Sequence, residues 1–241
     1  MDEKAVTYLK KYGNPDTFSE DMKQLEQGIP VQYIVGNVDF YGYEFIVNSD
    51  VLIPRFETEE LVSRTIRYCQ KLHLDQPKII DLGTGSGCIA ITLAKEIPNS
   101  HLTAVDISKK ALNVAKQNAL KNHVNITWLE SDMLNCVTGK FDVMISNPPY
   151  IATSEEIDQL VFDYEPHLAL FAQDYGLYFY KQILKEAHQY LRIPSLIAFE
   201  IGEKQGKQIV DIAKLYFPNA LIHLEQDLQK RDRFIFIEHI K

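Results

Sequence analysis

The sequence predicts an α/β fold: a mostly parallel sheet with helices on both faces and an antiparallel last strand. Three observations carry this. From residue 78 onward, short β-branched runs alternate with apolar helical stretches, the pattern of a doubly wound sheet. Two of those runs end in a polar residue, Asp106 and Asn147, at the carboxyl edge where open sheets bind ligands. The final two runs, 220–226 and 233–239, flank Asp227–Lys230 as a hairpin-like pair, which turns the last strand against the others.

The N-terminal part reads as helices followed by a hairpin. Residues 2–12 place Ala5, Leu9 and Tyr12 at helical spacing, and Thr17-Phe18-Ser19-Glu20 offers a capping box for a second short helix ending near Gly28. Helices this short bury little alone and are expected to pack on the next segment. Residues 31–53 alternate aromatic and β-branched residues (Tyr33, Val35, Val38, Phe40, Phe45, Val47) around Gly42, as a hairpin does. Its cluster of Phe40, Tyr41, Tyr43 and Phe45 is read as a packing face in preference to a partner surface.

Ile53-Pro54-Arg55-Phe56-Glu57-Thr58-Glu59-Glu60 opens a helix through Tyr68, with acids in the first turn to complement its dipole. Lys78–Leu82 is a strand leading into Gly83-Thr84-Gly85-Ser86-Gly87, and an apolar helix follows from Cys88 to Ala94. Strand, glycine-rich turn and helix are the context of a nucleotide-type loop, whose glycines allow tight turns and close ligand approach. The strand His101–Asp106 ends in an acid about 20 residues past the loop, the spacing of a ribose-hydroxyl acceptor. The G-x-G-x-G spacing disfavours a dinucleotide, and no Gly-Lys-Ser/Thr follows to make a phosphate loop. The favoured ligand is S-adenosylmethionine.

Ser108 caps a helix with Ala111, Leu112, Ala115 and Ala119 on one stripe, and a third strand, Ile126–Leu129, precedes Ser131-Asp132-Met133. The fourth strand, Phe141–Ser146, delivers Asn147-Pro148-Pro149-Tyr150. The prolines fix φ and remove two backbone donors, so the chain leaves the sheet stiff and extended. A side-chain amide there, beside carbonyls for which no N–H competes, is a rigid acceptor for a substrate –NH2. The matching chemistry is transfer of a group onto a planar amino or amide nitrogen. A turn residue capping its own loop would account for Asn147 but not for the Pro-Pro-Tyr behind it. Residues 151–173 look irregular and long enough to cover a substrate. A helix through Tyr190, the strand Leu196–Ile201 and a helix from Lys204 to Phe217 precede the final pair.

At 241 residues the chain has room for one α/β domain and a small appendage. No apolar stretch reaches membrane-spanning length and no signal peptide opens the chain, so a cytoplasmic protein without a membrane partner is expected. Cys69, Cys88 and Cys136 are odd in number and lack a C-x-x-C, and the seven histidines show no ligand spacing; neither a disulfide framework nor a metal site is expected. A net charge of −8 has the wrong sign for direct contact with a phosphate backbone.

Several motifs occur together and in order: Pro30-Val31-Gln32-Tyr33-Ile34, Leu52-Ile53-Pro54-Arg55-Phe56-Glu57-Thr58-Glu59, Asp81 to Gly87, Asn147 to Ile151, Glu165-Pro166, Glu200-Ile201-Gly202 and Asp232-Arg233. With them the sequence resembles, from Pro30 to Phe236, the bacterial HemK/PrmC family of protein-(glutamine-N5) methyltransferases that modify peptide chain release factors. The N-P-P-Y element is shared with adenine-N6 methyltransferases; the I-P-R-x-E-T-E segment narrows the resemblance to glutamine methylation.

The resemblance implies a class I S-adenosylmethionine-dependent methyltransferase fold with a seven-stranded sheet. It implies a cofactor set of Gly83, Thr84, Gly85, Ser86 and Gly87 around the methionine part, Asp106 on the ribose, Met133 beside the adenine, and Asn147. The catalytic set is Asn147, Pro148, Pro149 and Tyr150: the Asn147 oxygen and Pro148 carbonyl accept from the amide, and Tyr150 walls it. The implied substrate is the glutamine of the Gly-Gly-Gln motif of class I release factors, met by a monomer. A ribosomal-protein glutamine is the alternative. An adenine is opposed by the acidic balance, and a non-catalytic binding module by the intact Asn147–Tyr150. Two departures stand out. Phe56 occupies the position where the family has proline, leaving the helix start less fixed, and the family's N-terminal bundle is longer than the segment before Pro30 here, which bears on partner affinity and not on chemistry. The expected division is a shortened helical segment at 1–29, a hairpin linker at 30–54 and a methyltransferase catalytic domain at 55–241.

Overall fold

The computed structural model describes residues 3–240. The chain begins with α1 (Glu3–Tyr12), α2 (Phe18–Glu26) and α3 (Val31–Val35), followed by an antiparallel hairpin of β1 (Asn37–Phe40) and β2 (Tyr43–Ile46). The expected helix over 2–12 is present from Glu3, residue 2 lying outside the described residues. Leu9 is the buried residue of α1. The capping box does not form. Thr17 has φ −103° and ψ 0°, outside the extended region an N-cap needs, and its hydroxyl donates to the Asp21 carboxylate at 2.7 Å. The hairpin is also shorter than the alternation suggested. Pro30, at φ −54°, starts the turn of helix that takes up 31–35, and Gly36 ends it in the left-handed conformation at φ +80°.

At the hairpin tip Tyr41 and Gly42 both have positive φ, as the two-residue turn that suits strand twist requires. Val38 pairs with Phe45, and Phe40 and Phe45 meet edge to face at 5.8 Å, both fully buried. They join the core that holds Leu61, Val62, Ile89 and Ile91. Tyr41 and Tyr43 are half-buried against the same core. The aromatic cluster is therefore a packing face.

The remainder alternates strand and helix: α4 (Phe56–Lys71), β3 (Lys78–Leu82), α5 (Cys88–Glu96), β4 (His101–Asp106), α6 (Lys109–Lys121), β5 (Thr127–Glu130) and β6 (Phe141–Ser146). Helix α4 begins at Phe56 itself, whose ring is exposed, so the missing proline leaves the helix start in place. Where an irregular loop was expected, residues 151–172 carry β7 (Ile151–Ala152), α7 (Gln159–Tyr164), α8 (His167–Leu170) and β8 (Phe171–Ala172), with β7 and β8 paired in parallel. Then come a 3-10 turn (Asp174–Gly176), α9 (Tyr178–Ala187), β9 (Leu191–Glu200), α10 (Gly206–Tyr216), β10 (Leu221–Gln226) and β11 (Asp232–His239).

The main sheet has the order β10-β11-β9-β6-β3-β4-β5. Strands β3, β4, β5, β6 and β9 are parallel, and β11 runs antiparallel to both β9 and β10. Side chains alternate between two cores: Ile79 packs with α4 and α5 residues, and its neighbour Ile80 with Tyr180, Ile183 and Leu184 of α9. Both faces being covered, the central strands β3 and β6 are buried along nearly their whole length. Because β3 leads outward to β4 and β5 while β6 leads the other way to β9, the order reverses between β3 and β6. That opens a crevice at their carboxyl ends, where the 83–87 loop and Asn147 emerge.

Candidate active site

The crevice is a cavity walled by Gly83 and Gly85 after β3, Asp106 and Ile107 after β4, Asp132 and Met133 after β5, and Asn147 and Pro149 after β6. Its roof comes from two other places: Asp50, Val51 and Leu52 ahead of α4, and Leu168 and Ala169 of α8. Leu168 and Ala169 fall in the stretch 151–173 expected to cover a substrate, whereas sequence reasoning missed Asp50, Val51 and Leu52 as cavity walls. The I-P-R motif directly after Leu52 was the one available signal.

The three loop glycines do different things. Gly83, Gly85 and Gly87 all have positive φ, at 72°, 56° and 82°. A Cβ on Gly83 or Gly85 would meet nothing within 4 Å, so both leave open room for a ligand. A Cβ on Gly87 would lie 3.1 Å from Ala115 and from Ile91 and 3.3 Å from Trp128, so this glycine lets α5 approach α6 and β5. Thr84 and Ser86 are buried away from the cavity: the Thr84 hydroxyl donates to Asp81 Oδ2 at 2.6 Å, and the Ser86 carbonyl accepts from Asn118. Of the five loop residues expected to touch the cofactor, the structure brings Gly83 and Gly85 to the cavity wall.

Asp106 Oδ2 accepts the Gly85 N–H and Oδ1 the Ser108 N–H, both at 2.8 Å. Burial pushes its carboxyl up from the usual range against the pull of those N–H groups. Each carboxylate oxygen keeps a further lone pair for a hydroxyl. Met133 has φ +44°, a strained value for a side-chain-bearing residue, and its side chain lines the cavity. Behind the loop Asp81 is fully buried with Oδ1 unpaired among the described residues, and burial lifts its carboxyl to about 7. The residues fit S-adenosylmethionine: open glycine backbone, an acid for vicinal hydroxyls, and apolar Ile107, Ala111 and Met133 for a flat ring.

Asn147 belongs to this cavity and also to a second one, walled by Leu52, Arg55, Tyr150, Ile151, Val161, Leu170 and Glu200. Pro148 is buried behind it, and Pro149 stays on the cofactor side. The Asn147 Nδ2 donates to Thr58 Oγ1 at 3.2 Å, and Thr58 Oγ1 donates to Glu200 Oε2 at 2.7 Å. Among the described residues nothing donates to Asn147 Oδ1 or to the Pro148 carbonyl. The backbone beyond is clamped: Gln205 Nε2 donates to the Tyr150 carbonyl at 2.8 Å and to the Tyr175 carbonyl at 3.2 Å. Burial pushes the Tyr150 phenol up to about 12, so it stays neutral. Arg55 pairs with buried Glu165, which also accepts the Ile53 N–H at 3.4 Å, tying the roof together. Among the described residues no cluster of His, Cys, Asp or Glu is arranged to hold a metal, and no helix is long and apolar enough to cross a membrane.

Residues 60–163 match the family model described as methyltransferase small domain. The chain is 44% identical over 219 residues to a release factor glutamine methyltransferase of Flavobacterium psychrophilum, covering 88% of this chain and 76% of that protein. It is likewise 44% identical over 222 residues to one from Lactococcus lactis, covering 91% and 81%. Among solved structures, a release factor-specific protein-(glutamine-N5) methyltransferase from Alicyclobacillus acidocaldarius superposes with a TM-score of 0.50 at 25% identity, over 82% of this chain and all of that one. With such identity sustained across most of both chains, the protein belongs to the release factor glutamine methyltransferase family.

Proposed function

We propose that the protein methylates the side-chain amide nitrogen of the glutamine in the Gly-Gly-Gln motif of class I peptide chain release factors, with S-adenosylmethionine as methyl donor. The observation that carries this reading is the position of Asn147, whose Oδ1, like the neighbouring Pro148 carbonyl, has no partner among the described residues. These two acceptors match the two N–H groups of a primary amide. Asn147 stands between the cavity that fits the cofactor and the cavity beside Tyr150.

When bound, S-adenosylmethionine supplies an electrophilic methyl group. Gly83, Gly85, Asp106 and Met133 hold it in place. An amide nitrogen is a poor nucleophile because its lone pair is delocalised into the carbonyl. Asn147 and Pro148 hold that nitrogen by both its hydrogens, fixing its orientation at near-attack distance. Positive charge developing on the nitrogen strengthens both hydrogen bonds, so these acceptors stabilise the transition state more than the ground state. Tyr150, neutral and half-buried, walls the planar amide. The nitrogen–methyl bond forms as the methyl group's bond to sulfur breaks, and the strongly acidic protonated amide then gives its proton to water, so no dedicated base is required.

The same reading makes the protein a cytoplasmic monomer that meets a protein factor and not nucleic acid directly, in keeping with its net charge of −8. It keeps 1–29, 30–54 and 55–241 as the working division of the chain. The test is incubation with labelled S-adenosylmethionine and either an unmethylated release factor or one whose Gly-Gly-Gln glutamine is replaced. Label on the unaltered factor alone is the expected result. No label on either, with the methyl donor still bound, overturns the substrate assignment.

A further inference from the structure

Thr58 and Glu200 lie 142 positions apart in the chain and form one buried line with Asn147, each of the pair being 2% exposed. Oxygen and nitrogen of an Asn amide occupy equivalent places, so its neighbours fix which way round it sits. Thr58 has a single hydroxyl hydrogen. Given to the Glu200 carboxylate at 2.7 Å, it leaves Thr58 only as an acceptor toward Asn147. Asn147 must then present its NH2 to Thr58, at 3.2 Å, and turn Oδ1 to the place where nothing else donates. If Glu200 carries a proton, it can donate to Thr58, and Thr58 can donate in turn to Oδ1. The amide then turns over and aims its NH2 at the substrate NH2.

We propose that Thr58 and Glu200 are positioning residues that hold Asn147 in the orientation able to accept a substrate N–H, and that protonation of Glu200 releases this hold. The proposal rests on the reading of Asn147 given above. The surroundings of Glu200 permit such a switch. From α4 and the residue before it come Thr58, Glu57 and Arg55; from β11 comes Arg233; after β6 comes Tyr150, and from α5 Cys88. From α9 the Tyr180 hydroxyl donates to the Glu200 main-chain carbonyl. Arg233, the cation that lowers the Glu200 carboxyl most, makes its hydrogen bonds to Asp227 and the Ile201 carbonyl instead. Burial outweighs Thr58 and both arginines and lifts the Glu200 carboxyl to about 7.

Thr58→Val removes the hydroxyl at nearly equal volume, and Thr58→Ser restores it. In methylation of the unmethylated release factor, Thr58→Val should lower kcat on the order of 10- to 100-fold, with the KM for methyl donor within about twofold, and Thr58→Ser should recover most of the loss. In the wild type and Thr58→Ser, kcat should fall as pH drops through about 7, and Thr58→Val should lose that dependence. A second readout needs no turnover: with 15N-labelled asparagine, the Asn147 side-chain NH2 signal, identified by its absence in Asn147→Ala, should titrate near neutrality in the wild type and not in Thr58→Val. Near-normal kcat with the acid limb intact in Thr58→Val, or an Asn147 signal indifferent to pH in the wild type, overturns the proposal. Failure of the wild type to label the factor would instead strike the substrate reading, leaving the amide signal to decide the relay.

Discussion

Arg55 lies against Glu165, its Nη2 on the carboxylate Oε1, and so joins the residues ahead of α4 to those between α7 and α8. The two partners are not equally placed: the Glu165 side chain is 3% exposed and that of Arg55 37%. Removing the arginine strands a buried carboxylate on one long backbone contact, whereas removing the acid leaves a cation that can turn to water. Arg55→Ala should therefore cost about 1–3 kcal/mol, less than a fully buried pair would, and more than Glu165→Gln does. Urea midpoints of both variants and of the double variant measure it.

Asp106 should govern affinity for the methyl donor. Hydrogen bonds to a charged group contribute about 1.5–3 kcal/mol, so Asp106→Ala should weaken cofactor binding by on the order of tenfold or more. Turnover at saturating methyl donor should fall less. Calorimetric titration beside steady-state kinetics separates the two effects.

Two glycines of one loop should fail differently. Alanine at Gly85 or Gly87 meets the same left-handed backbone penalty of about 1–2 kcal/mol. At Gly87 the new methyl also meets Ala115, Ile91 and Trp128, and the fold loses further stability. At Gly85 it points into empty cavity, and binding of the methyl donor suffers instead. Thermal melts with and without the methyl donor distinguish them.

The raised carboxyl of Glu200 has a consequence for stability with a definite sign. Its folded pKa of about 7 exceeds the ordinary 4.5, so between those values the folded state holds a proton that the unfolded state has released. The contribution is complete below the unfolded value and is lost as pH rises through about 7. Asp81 acts in the same direction, and Glu225, whose carboxyl Tyr68 and Arg64 pull down against burial, in the opposite one. The stability of the wild type relative to Glu200→Gln should decline by on the order of 1 kcal/mol per pH unit across this window. Denaturation at pH 5, 6, 7 and 8 checks it.

Asn147→Ala should reduce methyl transfer by about two or more orders of magnitude, as loss of a preorganised transition-state acceptor does. Binding of the methyl donor should be largely kept. Near-normal turnover in this variant would remove the central residue from the reading.

The strands that frame the crevice were legible because β3, β4 and β6 are short, mostly apolar and largely buried runs set between turn residues. Asn147 was legible because two prolines mark where its strand ends. The five residues of α3 were not, since so short a helix shows no period and its Val31, Tyr33 and Val35 alternate as a strand's side chains would. The contact of Thr58 with Glu200 had no sequence signal at all. It is made by folding alone, across 142 positions, and each residue has a local explanation, one as a first-turn polar residue and the other as a strand end. Within the loop 83–87 a motif names only a stretch of chain; its geometry puts Gly83 and Gly85 on the cavity wall and engages Thr84, Ser86 and Gly87 in contacts within the protein.

Because Phe40 and Phe45 are shared with the core around Leu61 and Ile89, the hairpin is inseparable from the enzyme body. A piece cut at residue 55 would therefore expose a hole where two phenylalanines belong, so residues 55–241 need the 30–54 hairpin beside them to fill their core.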